Sequence, residues 1–250
     1  MTKKKTYARR EWLLLAAVLI LGSMLLSAFT SNTPVSLWVY ARGHGYSAAD
    51  YPGALTALYR RNPDARQFVR DYPEKHDDDP EIDLSGEITP GTAPLLMQWD
   101  ERWGYRSYNE NLMGLSGCGP TCLSMAAICI TGDPAMDPWA MAQFAEAHGY
   151  NVVGQGTAWS LFTDGAEELG LDSTQIEMDE QRVMANLAVG NPIVCVVGPG
   201  AFTTEGHFIL LAGTEGGMIR VNDPNSYQNS EKLWSFEQLQ GQVQALWVLR

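Results

Sequence analysis

Few folds accommodate the short apolar runs that fill the last part of this chain, each closed off by glycine or proline. Pro192–Val197 (PIVCVV) and His207–Gly213 (HFILLAG) are rich in Val, Ile and Leu and too short for buried helices, so they read as strands of a buried sheet. Met218–Asn222 (MIRVN) is the hairpin partner of the second run across Thr214–Gly217, and Ala245–Leu249 is a further strand. Upstream the period changes. Cys122, Met125, Ala126 and Cys129 recur at helical spacing behind Gly117-Cys118-Gly119-Pro120-Thr121. Further helices are expected over Pro134–His148, over Ala158–Leu169 closed by Gly170, and over Glu180–Val189 closed by Gly190. Helices first and strands later make an α+β domain, expected to begin near Pro94 and to run to residue 250.

The N-terminus is of another kind. Lys3, Lys4, Lys5, Arg9 and Arg10 come with no acid, and an apolar run from Trp12 to Phe29 follows. The pattern predicts a basic cytoplasmic tail (1–11) and a single transmembrane signal-anchor helix (12–30), with the membrane as a partner and the C-terminal bulk outside the cell. A cleaved signal peptide ending at Ala28 is the other reading, and it makes the remainder secreted. Removing these five positive charges from the net −12 leaves −17 on the rest of the chain. So acidic a body excludes nucleic acid as a partner, because phosphates need a basic face. Residues 31–93 read as an extracytoplasmic stalk: a tether to 42, two short helices over 47–72, and an acidic linker, PEKHDDDPEIDLSGEITPGTA, over 73–93. Asp77-Asp78-Asp79 lacks the spaced ligands and glycine of a calcium loop.

Four residues carry a possible chemistry. Cys118 opens a helix, where unpaired N–H groups and the positive helix end favour a thiolate, and its flanking glycines leave room for a substrate backbone. His207 opens an apolar strand and can serve as general base. Asp223 follows the hairpin partner. If the hairpin turns at Glu215-Gly216, paired positions sum to 431 and His207 lies opposite position 224; if Glu215–Gly217 form a three-residue loop, the sum is 432 and Asp223 faces residue 209, diagonal to His207 on the same face. In either register a carboxylate there would orient the imidazole; Asn222 is the alternative orienter. Gln98, in Met97-Gln98-Trp99-Asp100, can supply an amide donor to an oxyanion. Among the other cysteines, Cys122 reads as core, and Cys129 and Cys195 as a pair of reduced core thiols. No zinc spacing is present, and no metal or cofactor is expected. Trp99, Trp103 and Tyr105 read either as the lining of a substrate groove or as aromatic core, and Trp159 with the Gly198–Glu205 loop are the candidates for specificity.

The ordered set Gln98, Cys118, His207, Asp223 resembles papain-like cysteine peptidases. It is closest to the bacteriocin-processing (double-glycine leader) peptidase-like family. The motifs are Gln98-Trp99-Asp100, Gly117–Thr121, Gly206-His207-Phe208 and Val221–Pro224, with Gly156–Trp159 in support. The resemblance covers about 90–250. It implies a papain-like fold with N-terminal helices packed on an antiparallel sheet, Cys118 as nucleophile, His207 as base, Asp223 as orienter, Gln98 as oxyanion donor, and a peptide or protein substrate. Because no transporter or ATP-binding portion accompanies these motifs, leader processing coupled to export is not implied. A cell-wall amidase or transpeptidase on peptidoglycan stem peptides, and a non-catalytic binding module on a peptidase-like scaffold, stay open at this point.

Overall fold

A computed structural model describes residues 12–20, 22, 33–154 and 156–250. The chain divides into two compact units, Met1–Pro73 and Glu74–Arg250.

In the first unit residues 12–20 and 22 are helical and exposed. The expected transmembrane helix is corrected here: among the described residues no helix is long and apolar enough to cross a membrane. A span needs about 20 apolar helical residues to cover roughly 30 Å, and the stretch Trp12–Ile20 rises only about 14 Å. The remainder of that expected span, residues 21 and 23–30, and the basic tail 1–11 lie outside the described residues. From Thr33 the unit is helical. Val35–Gly43, read from sequence as a tether, is a helix that buries Leu37, Trp38 and Ala41. Gly53–Arg61 buries Leu55, Leu58 and Tyr59, and the helix Arg66–Lys75 buries Phe68 and Val69.

The second unit is built on one six-stranded antiparallel sheet. Two short ribbons precede it, β1 (Ser107–Tyr108) with β2 (Asn111–Leu112), and β3 (Asn151–Val152) with β4 (Gly156–Thr157). The main sheet holds β5 (Ser173–Ile176), β6 (Ile193–Val197), β7 (His207–Glu215), β8 (Met218–Asn222), β9 (Leu233–Trp234) and β10 (Val243–Leu249), in the order β5-β10-β6-β7-β8-β9. Both faces are covered, which is why β6 and the start of β7 read as unbroken apolar runs. Val194, Val196, Phe208, Leu210 and Trp247 join the cluster that includes Leu123, Met125 and Ala126 of the helix Cys118–Thr131. Ile193, Cys195, Val197, Ile209 and Leu211 join Val183 and Leu187 of the helix Glu180–Ala188 on the other face. The cysteines Cys129 and Cys195 therefore belong to different layers, and both are free thiols.

The hairpin turns on Gly216-Gly217, both at positive φ (58° and 81°), as a two-residue turn requires. Glu215 thus faces Met218, a sum of 433. An irregularity between Leu211 and Gly213 absorbs one residue, so Leu211 faces Val221 and Leu210 faces Asn222. The register near the sheet end is therefore 432, which sets Asp223 beside His207.

The acidic segment is no free linker. Leu84 is buried in the core of the second unit, with Ile82 and Ile88 packed against that core. Arg102 binds Glu87, Asp100 and the Asp83 carbonyl, and Arg106 binds Asp79 at 2.6 Å and the Pro80 carbonyl at 2.9 Å. Composition marked the segment as solvated, but two of its acids, Asp79 and Glu87, have arginine partners on the domain.

Candidate active site

Cys118 is the first residue of a helix whose residues from Gly119 to Cys129 are buried, so the thiol stands where that central helix reaches the surface. It is half-buried. Its flanking glycines prove to be packing requirements. A Cβ on Gly119 would lie 2.7 Å from Thr157 side-chain carbons, and one on Gly117 would lie 2.6 Å from the Met113 carbonyl oxygen. Room for a substrate backbone, the sequence-based reason for these glycines, is therefore not their main role. Since a backbone carbonyl cannot rotate aside, Gly117→Ala will cost about 1–3 kcal/mol in a urea unfolding titration and slow the alkylation of Cys118.

His207 and Asp223 sit at neighbouring strand ends, 7% and 1% exposed. His207 Nε2 and Asp223 Oδ1 are 2.8 Å apart. The imidazole and the Cys118 thiol also act on each other, each favouring the other's charged form. With Nε2 on the carboxylate, Nδ1 is the ring nitrogen left for the thiol. Burial by itself pushes the Cys118 thiol up. The hydrogen bond and charge of His207 and the N–H groups of Phe208 and Gly119 outweigh it, and the net shift is downward. Burial likewise disfavours the imidazolium, but the charge and hydrogen bond of Asp223, then Cys118, raise His207 to about 10. Both shifts run in the direction that favours a thiolate beside an imidazolium.

Asp223 is held on all sides. Its Oδ1 also accepts from Asn225 N at 2.9 Å, its Oδ2 from Asn229 Nδ2 at 2.8 Å, and its backbone N–H donates to Ser230 Oγ at 2.9 Å. Asn222, the alternative orienter, points elsewhere and donates to the carbonyls of Ala93 (3.2 Å) and Pro94 (3.0 Å). Gln98 is anchored next to Asp223 by its backbone N–H, 2.8 Å from the Pro224 carbonyl. Its buried side chain gives one amide hydrogen to the Gly114 carbonyl at 3.0 Å, while Oε1 has no protein partner. An amide nitrogen carries two hydrogens, so one stays available. Cys122 is fully buried; burial first, then the charges of Cys118 and Asp223, push its thiol well above the usual range, so it remains protonated. The ring contacts of the histidines His44, His76 and His148 include Tyr40, Asp77, and Phe144 with Glu168, in that order. Among the described residues no group of three or more His, Cys, Asp or Glu side chains could hold a metal ion.

Of the two readings of Trp99, Trp103 and Tyr105, the structure favours core, since all three are buried. Trp99 Nε1 reaches the Asn225 carbonyl at 3.4 Å, bracing the loop after Asp223, and Trp103 Nε1 donates to the Met97 carbonyl at 2.9 Å. Trp159 is 47% exposed and meets Trp247 edge-on. Reasoning from sequence missed Asn229 and Ser230, which lie in a polar stretch with no periodic signal. It also missed the buried pair Tyr108 OH and Thr157 Oγ1, 3.0 Å apart beside Gly119.

Comparison with known proteins adds an independent line. The family model described as the Peptidase_C39 like family matches residues 92–249. Among solved structures, the peptidase domain of Streptococcus ComA, a bi-functional ABC transporter involved in a quorum-sensing pathway, is 22% identical. The match covers 54% of this chain and 90% of that one, with a TM-score of 0.42. A Bacillus anthracis protein described as a C39-like peptidase is 14% identical over 65% of this chain and 97% of its own, with a TM-score of 0.37. No curated protein matches the chain.

Proposed function

The chain belongs to the Peptidase_C39 like family, and on that premise we propose that it is an active thiol peptidase using Cys118, His207, Asp223 and Gln98. The observation that carries this reading is the buried His207–Asp223 pair, 2.8 Å between imidazole and carboxylate, with Cys118 at the helix start close enough for His207 to pull its thiol downward. The Cys118 thiolate attacks the carbonyl carbon of a peptide bond. The oxyanion takes hydrogen bonds from the Cys118 backbone N–H and from the free amide hydrogen of Gln98. The imidazolium, held in place by Asp223, gives its Nδ1 proton to the leaving amine, which departs as the thioester forms. His207, now neutral, takes a proton from water as the water oxygen attacks the thioester. Collapse of that intermediate releases the carboxylic acid and restores the thiolate.

The test uses two readouts. Iodoacetamide at limiting concentration should modify one thiol, Cys118, with Cys122, Cys129 and Cys195 untouched. A peptide library beside purified cell wall should show cleavage in the peptide arm. Alkylation that persists in Cys118→Ala and vanishes in Cys122→Ala would overturn the assignment. Cleavage of stem peptides in the wall alone would redirect the substrate class.

A further inference from the structure

Asp223 has one oxygen for His207 and one for something else. In a site excluding water, that second oxygen cannot be left unpaired without cost. Its partner is Asn229 Nδ2 at 2.8 Å, from the short helix Tyr227–Ser230. Asn229 is itself 9% exposed and fixed by its surroundings. Its backbone N–H donates to Ser226 Oγ at 3.2 Å, and its carbonyl accepts from Trp234 Nε1 at 3.0 Å. The side-chain oxygen accepts from Lys232 Nζ at 3.2 Å, and that ammonium lies 5.0 Å from the centre of the Trp234 ring. A carboxylate only accepts and an ammonium only donates, so an amide between them has one permitted orientation. Nδ2 must face Asp223 and Oδ1 must face Lys232.

We propose that Asn229 is the positioning residue of this site: its amide, polarised by Lys232, holds Asp223 in the one orientation that presents Oδ1 to His207. The inference rests on the reading of Cys118, His207 and Asp223 as the reacting set. Asn229 touches no reacting atom and acts through Asp223. Loosening it lets the carboxylate turn, weakens the imidazolium, and through the imidazolium weakens the thiolate. The ionisable groups around this cluster are Cys118 and Cys122 from the central helix, Tyr108 from β1, His207 from β7, and Lys232 beyond Asn229.

The experiment is a pair of pH profiles on the full chain, one for Cys118 alkylation by iodoacetamide and one for hydrolysis of a peptide that the wild type cleaves. Asn229→Ala should lower hydrolysis at neutral pH by roughly ten- to hundredfold, chiefly in kcat. The window should also narrow: the acid limb of alkylation moves up, and the alkaline limb of hydrolysis moves down by about one pH unit. Lys232→Met should shift both limbs the same way by less. Asn229→Asp donates to Asp223 only while the introduced carboxyl is protonated, so its rate relative to wild type should fall as pH rises. These two variants keep the packing and carry the test if Asn229→Ala does not fold. Profiles that superimpose on the wild type after scaling would leave Asn229 a packing residue and end the proposal. A Cys118→Ala variant that still hydrolyses the peptide would instead end the reading on which it rests.

Discussion

Cys118→Ala will lose hydrolysis of any peptide the wild-type protein cleaves by at least about 10⁴-fold, with the unfolding transition nearly unchanged. No other thiol can take over. Cys122 lies one turn deeper in the same helix with no exposed surface, and Cys129 and Cys195 sit in separate apolar layers, all three with thiols shifted up by burial. Removing one half-buried sulfur deletes little packing, so stability and activity should separate cleanly. Mass spectrometry of the alkylated protein, a peptide cleavage assay and a thermal melt measure the three quantities. Substantial hydrolysis by the variant would mean that another residue is the nucleophile.

The second large effect is His207→Ala. The buried environment pushes the Cys118 thiol up, and His207 is the main group that reverses this. Without the imidazolium the thiol moves back up toward its ordinary value of 9.0, where only about one part in a hundred is thiolate at pH 7. Alkylation at neutral pH should therefore fall by roughly a hundredfold and recover only in alkaline solution. Hydrolysis falls further, because the leaving amine has also lost its proton donor. In the wild type the signs are fixed by the two shifts. Both rates rise with pH through the lowered Cys118 value. Hydrolysis then declines near pH 10 as His207 gives up its proton, while alkylation, which needs only the thiolate, does not decline. The same shift is linked to folding. A raised imidazole stabilises the fold most below its ordinary value of 6.5, and that contribution fades as pH rises through about 10. A His207→Ala profile of wild-type shape would sink the ion pair.

Much of the site was legible because its residues stand at punctuation points. Gly117-Cys118-Gly119-Pro120 announces a helix start, His207 opens an apolar run, and Asp223 follows one. The family resemblance read from those motifs and the family model agree. The strand β5, Ser173–Ile176, was missed because STQI is polar and alternates weakly; it is a strand through its pairing with β10. The expected helix over Ala158–Leu169 breaks at Thr163, which has φ −110° and ψ −88°, into the 3₁₀ turn Trp159–Phe162 and the short helix Asp164–Glu168. The acidic run at 73–93 looked solvated because composition does not tell which acids meet Arg102 and Arg106. The membrane span was expected from an apolar run with a basic flank, whereas among the described residues no helix is long and apolar enough to cross a membrane.

Local chemistry by itself determined the class of fold, the buried strands, and which side chains could be nucleophile, base and orienter. Those properties follow from residue type and from neighbours within a few positions. Tertiary structure alone decided that the C-terminal strand β10 inserts between β5 and β6. It also decided that an irregularity before Gly213 restores the register that sets Asp223 against His207, and that Asn229 rather than Asn222 completes the carboxylate. Each of these depends on contacts between segments far apart in the chain, or on one residue of register, and a single-residue slip turns every side chain of a strand to its other face.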